Sequence, residues 1–177
     1  MSTPVPTITS LAEYQAAAVI TAKYPRPSLY PFLGLAGETG ELLEVLRDTP
    51  EEKEDVVKEF GDVFWYFSAI CTDLGLHLEE QYSNMEADGR QAELRTDLPI
   101  IVGKIMELAK KSMRDENGKW SDDRLRSLSC RLMELSENLN GMMDLLSIKP
   151  LDVMQVNIAK LYSRMDRNMI QGSGNSR

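Results

Sequence analysis

The sequence predicts an all-α fold, a helical bundle folded as one domain, and two observations carry this. Apolar residues recur at steps of three and four through Val56, Phe60, Val63, Phe67, Ile70 and Leu74, and again through Leu125, Leu128, Leu132, Leu135, Leu139 and Met142. That is the stripe of a helix facing a core. No segment alternates apolar and polar residues as a half-buried strand does. With 177 residues, 42% of them hydrophobic and 27% charged, the chain has the material for one sizeable core.

Residues 1–8 are rich in Pro and Thr and are expected to be loose. A first helix runs from Thr9 or Ser10 to Lys23, with Leu11, Tyr14, Ala18 and Thr21 on one side. Pro25, Pro27 and Pro31 then break the chain and force an extended connection. A pair of helices follows and ends near Gly75. Between them, Thr49-Pro50-Glu51-Glu52 reads as a helix start, with Thr49 as N-cap, Pro50 at the first helical position and Glu52 closing a capping box. Residues 81–97 are polar and weakly periodic, the expected place for an irregular joint. Helix resumes at Pro99, and Ser121 is the expected N-cap of the next one.

The formal charge of −8 argues against a surface that wraps nucleic acid. No apolar run reaches the length of a membrane span, and the N-terminus lacks a charged leader followed by an apolar segment. Cys71 and Cys130 both fall inside apolar helical patterns. They are expected to be buried free thiols of a cytoplasmic protein, neither a disulfide nor metal ligands.

Two short acidic signatures lie in the helix pair, Glu38-x-x-Glu41 and Glu59-x-x-Asp62. Residues three apart share a helix face, so each signature presents two carboxylates together. Antiparallel helices joined by a short turn can aim both pairs at one point. Four such carboxylates either hold cations between them or are separate solvated acids. Glu59 and Asp62 flank the apolar stripe, where ionisation is costly unless the charge is paired or coordinated, and that favours a metal site. Gly37 and Gly40 interleave Glu38 and Glu41. Glycine in a helix costs about 1 kcal/mol relative to alanine, which suggests a close approach to the backbone there; plain packing explains it equally well. Glu44 continues the spacing, as a further contact near the metal or as an exposed acid.

From Pro99 onward the pattern repeats, giving a unit over 9–80 and a second, degenerate unit over 98–177. Lys104 falls under Glu38, Glu107 under Glu41, Leu132 and Leu135 under Glu59 and Asp62, and Asn157 under Asn84. Asn157, Lys160 and Arg164 share a face of the last helix, a donor set suited to phosphate oxygens or simply a solvated face. Beside an acidic metal cluster the first reading prevails, because a triphosphate needs cation-holding acids on one side and basic donors on the other.

The stretches EYQAAAVITAKYP, GLAGETGELLE, KEFGDVFWY, LGLHLEE and NIAKLYSRMDRNMIQGSGNSR resemble successive blocks of the MazG-like nucleoside triphosphate pyrophosphohydrolases, within the all-α NTP pyrophosphatase superfamily. The resemblance covers residues 11–80 and 150–177. It implies that Glu38, Glu41, Glu59 and Asp62 hold two or three Mg²⁺ ions, with Mn²⁺ able to substitute. Glu38 or Glu41 would act on the attacking water. Tyr66 would face the nucleotide, and Asn157, Lys160 and Arg164 would bind phosphate. Trp65 either stacks on the base or packs in the core. The implied reaction splits a nucleoside triphosphate between its α- and β-phosphates into the monophosphate and pyrophosphate. A phage branch that acts on guanine nucleotides makes dGTP or GTP the first substrate to test.

Residues 81–150 depart from the pattern of small family members and resemble the internally duplicated dUTPase branch, which makes a dUTPase-like enzyme an alternative. A non-catalytic helical module binding a cation or a partner is another. The family implies a homodimer or homotetramer. Lone His77 is read as structural. The Gly/Ser tail, with Arg177, folds over the phosphates or frays.

Overall fold

The computed structural model describes residues 4–83 and 91–169, with the backbone alone for 91–95. Asn84, residues 84–90 of the expected joint, and the tail 171–177 with Arg177 lie outside the described residues. The described residues form α1 (Leu11–Thr21), α2 (Tyr30–Asp48), α3 (Lys53–Asp73), a single 3-10 turn (Leu78–Glu80), α4 (Gln91–Glu116), α5 (Asp122–Leu145) and α6 (Pro150–Asp166). No strand occurs among them, so the chain is all-α as the periodicity predicts. No helix among the described residues is long and apolar enough to cross a membrane.

The most extensive helix packing is within the α2–α3 and α4–α5 hairpins, and α4 docks on α2. On the other side α1 and α6 pack against each other and both lie on α3. The expected stripe of α3 is buried from Val56 to Ile70, and Tyr14, Phe32, Phe60, Phe64 and Phe67 fill the centre. Burial of each such side chain contributes about 1.5–3 kcal/mol. Helix α1 starts where Ser10 Oγ accepts the Glu13 N–H at 3.2 Å, and Glu13 returns a bond to the Thr9 N–H at 2.7 Å. It ends two residues before Lys23.

Several expectations are corrected. Pro31 does not break the chain; it sits in the first turn of α2, where its missing N–H would have no partner anyway. Thr49 caps the C-terminus of α2, donating its N–H to Val45, and Glu52 is the N-cap of α3. The chain closes a tight turn through the Glu52 N–H and the Thr49 carbonyl (3.1 Å) before the helix begins, so the capping box never forms. The joint ends earlier than expected, because α4 starts at Gln91 and carries Pro99 in its interior. Gln91, Ala92, Glu93, Leu94 and Arg95 are strong helix formers even without an apolar stripe. Ser121 does stand at the N-cap of α5, but its hydroxyl donates to Glu116. Cys71 is buried as expected, whereas Cys130 is exposed on the outer face of α5.

The two hairpins end alike. Gly75 (φ +69°) and Ser147 (φ +55°) each take the left-handed conformation after their helix. In each, the next N–H returns to a carbonyl five residues back, Leu76 to Cys71 at 2.8 Å and Ile148 to Met143 at 2.9 Å. In the register these caps set, buried Val56, Phe60, Val63 and Phe67 correspond to buried Leu128, Leu132, Leu135 and Leu139. Arg131 and Glu134 therefore stand in the places of Glu59 and Asp62, one position before the leucines the sequence alignment puts there. They form an ion pair with each other at 2.5 Å.

Candidate metal centre

Helices α2 and α3 bring Glu38, Glu41 and Glu59 together, with one carboxylate oxygen of each within 4.8 Å of the others. Their burial is graded: Glu59 is 3% exposed, Glu38 half-buried and Glu41 exposed. The cluster thus opens from the core towards solvent along the α2 edge. The Glu38 carboxyl is pushed up to about 7, first by burial and then by the charges of Asp62, Glu41 and Glu59, with Lys160 opposing. Packed carboxylates that resist ionisation need positive charge among them. An all-carboxylate donor set of this spacing fits a hard divalent cation such as Mg²⁺ or Mn²⁺.

Asp62 is placed differently from the expected fourth member. Lys160 Nζ, on α6, donates to its two oxygens at 2.6 and 2.5 Å, and Asn157 Nδ2 donates to Oδ1 at 3.0 Å. The Tyr14 hydroxyl in turn donates to Asn157 Oδ1 at 3.0 Å. Tyr14 and Asn157 are buried, at 0% and 1% exposure. So three acids converge, and the fourth stands beside them in the grip of an ammonium. Asn157, expected to touch phosphate, instead fixes the orientation of Asp62 from within the core. Arg164, one turn beyond Lys160, is buried as well.

Glycines matter at positions other than those expected. Among the described residues a Cβ on Gly37 or Gly40 would meet nothing within 4 Å, so no backbone approach there explains them. They line an open groove with Glu41, Leu43, Glu44 and Arg47. At Gly34 a Cβ would come within 2.0 Å of the Tyr66 ring, and at Gly61 within 2.8 Å of Asn157 Cβ. Gly34 therefore seats Tyr66 against α2, and Gly61 lets α6 approach α3 closely enough for Lys160 to reach Asp62.

Four aromatic rings pack in a group that meets the acids through Tyr66. Tyr66 packs edge-on to Trp65 (4.8 Å) and tilted against Tyr30 (5.8 Å), and Tyr24 lies 4.9 Å from Tyr30. The hydroxyls of Tyr30 and Tyr66 are 3.2 Å apart. Trp65 Nε1 donates to Thr21 Oγ1 at 2.9 Å, which fixes that ring as a wall. Burial foremost, then its bond to Tyr30 and the charges of Glu38 and Asp62, hold the Tyr66 phenol well above its usual value. Glu44 is solvent-exposed and 3.6 Å from Arg47, apart from the cluster. His77 is exposed beyond the far end of α3. Sequence reasoning missed Tyr14, Tyr30, Gly34 and Gly61. The repeat of Tyr30, Gly34 and Glu38 every fourth residue was the available signal for two of them.

The chain is similar to the Gene 37 protein of Mycobacterium phage L5. The two are 35% identical over 107 residues, a match that takes in 51% of this chain and 91% of that protein. No protein-family model matches the chain, and no solved structure does.

Proposed function

The chain belongs to the same family as the Gene 37 protein of Mycobacterium phage L5, and we propose that it is a divalent-metal-dependent nucleoside triphosphate pyrophosphohydrolase. The observation that carries this reading is the convergence of Glu38, Glu41 and Glu59, with Asp62 and the Lys160 ammonium at their edge. The resemblance to the MazG-like enzymes supplies the reaction class. Two or three Mg²⁺ ions, or Mn²⁺ in their place, supply Lewis-acid charge for the phosphate oxygens when bound.

Glu38, Glu41, Glu59 and Asp62 would hold that charge. Glu38, with Glu41 beside it in the cluster, would orient and deprotonate the attacking water. The water oxygen bonds to phosphorus at the α–β bridge, its proton passes to Glu38, and the bridging oxygen leaves with pyrophosphate. Lys160 and Arg164 would balance the charge that grows on that leaving group. Tyr66 and Trp65 would border the nucleoside. No protein nucleophile is required.

Guanine nucleotides, dGTP or GTP, are the proposed first substrate, with dUTP as the alternative. In the second unit, Lys104, Glu107, Arg131 and Glu134 stand where the first has four acids; we read it as a degenerate copy that has lost its metal site. A homodimer or homotetramer and a cytoplasmic setting complete the reading. The test is pyrophosphate release from a panel of ribo- and deoxyribonucleoside triphosphates with Mg²⁺. Turnover should fall at least a hundredfold in Glu38→Gln and Asp62→Asn. Undiminished turnover in both variants would remove the basis of the assignment, and a dUTP preference would move it to the alternative.

A further inference from the structure

The aromatic cluster has a feature that metal chemistry does not require. Tyr30 is 48% exposed, although it packs against Tyr24 and Tyr66 and shares a hydroxyl contact with the latter. A large ring held on its sides and open to solvent is a stacking surface. Trp65 is unlike it, half-buried and tethered to Thr21. Tyr66 is half-buried too, sunk against the backbone of Gly34.

Position decides what such a ring would meet. Tyr30, Gly34 and Glu38 lie on one face of α2, two helical turns from end to end. At a rise of 1.5 Å per residue, Tyr30 stands about 12 Å along the axis from Glu38. That is about the reach of an extended nucleoside triphosphate from its base to its outer phosphates. The ring that fills the gap between the two ends is Tyr66, which touches Tyr30 and feels the charge of Glu38.

We propose that Tyr30, backed by Tyr24 and Tyr66, is the platform on which the nucleobase stacks while its phosphates lie at Glu38, Glu41 and Glu59. This rests on the triphosphate reading of the acidic cluster. The platform binds a base by its π-face, which every base has. It therefore contributes affinity to all nucleotides and discriminates among them only by ring area, purines above pyrimidines. Selection by hydrogen bonding to the base edge must come from other groups.

The experiment is calorimetric binding, in Mg²⁺, of nucleoside triphosphates whose α–β bridge is a non-hydrolysable methylene, with guanine and with cytosine as base. Inorganic tripolyphosphate, which has no base, is the reference. Tyr30→Ala should weaken both nucleotides about tenfold, the guanine one more, and leave tripolyphosphate unchanged. Tyr30→Phe, which keeps the ring, should bind all three like the parent. The platform is refuted if Tyr30→Ala binds the analogues as tightly as the parent. It is equally refuted if the parent holds them no more tightly than tripolyphosphate, or if tripolyphosphate weakens by the same factor as the nucleotides. Because these analogues are not cleaved, a chain that binds them on Tyr30 yet hydrolyses no nucleotide would sink the enzymatic reading alone.

Discussion

Lys160 Nζ reaches the two oxygens of Asp62, at 2.6 and 2.5 Å, and so ties α6 to α3 at the edge of the glutamate cluster. The pair is largely shielded, with side-chain exposures of 15% and 16%. An ammonium and a divalent ion want the same carboxylate, so the two compete for Asp62. Lys160→Met should destabilise the metal-free protein by about 2 kcal/mol, since among the described residues Asp62 then keeps its bond from Asn157 alone. The same variant should bind Mn²⁺ more tightly than the parent, as nothing has to be displaced. Thermal melts in EDTA and a Mn²⁺ titration check both. Weaker Mn²⁺ binding in Lys160→Met would mean that the lysine supports the site in some other way.

The buried relay behind this pair makes a separate prediction. Tyr14 donates to Asn157, which donates to Asp62. Tyr14→Phe removes one donor and leaves Asn157 Oδ1 buried, a loss of about 1–3 kcal/mol. Its effect on Mn²⁺ affinity should be much smaller than that of Asp62→Asn. Equal losses would show that Tyr14 bears on the ions directly.

Two glycines permit the site to close, and two do not. Gly34→Ala and Gly61→Ala each drive a methyl into a neighbour, Tyr66 and Asn157 respectively. Each should cost about 1–3 kcal/mol and lower turnover by moving the ring or the lysine. Gly37→Ala and Gly40→Ala meet open space and should instead stabilise α2, by about 1 kcal/mol each at most. Denaturant titrations of the four variants separate the pairs. A destabilised Gly37→Ala would point to a partner pressing on that face.

Glu38 fixes a pH dependence. Its folded value of about 7 lies above its ordinary 4.5, so the folded state holds that proton more tightly than the unfolded chain. The stability this contributes is complete below about 4.5 and is lost as the pH rises through about 7. In EDTA the melting temperature should therefore fall across that window, and Glu38→Gln should flatten the fall. With Mg²⁺ the trend should reverse, because binding needs the ionised carboxylate. A flat profile in the parent would show that neither burial nor the neighbouring carboxylates hold a proton on Glu38.

Much of the fold was legible because apolar periodicity reports which helix face is buried. The stripes of α3 and α5 and the start of α1 at Ser10 follow from it directly. Boundaries set by turns were less so. Thr49 has the side chain of an N-cap, but the Val45 carbonyl takes its N–H first, and only geometry decides between two such uses. In the site, Glu38, Glu41 and Glu59 were readable from spacing on two neighbouring helices. The engagement of Asp62 by Lys160 was not, since the lysine lies 98 residues further along the chain and nothing local fixes where α6 crosses α3. Gly34 and Gly61 escaped for the same reason, as each is needed by a residue far away in sequence.

The most direct measurement follows the phosphorus itself. The protein is incubated with Mg²⁺ and dGTP, and then with the remaining nucleoside triphosphates, while ³¹P resonance spectra are recorded. The triphosphate signals should give way to one nucleoside monophosphate and one pyrophosphate, and EDTA should stop the change. Release of orthophosphate and a diphosphate, or intact triphosphate in every sample, would contradict the proposed reaction.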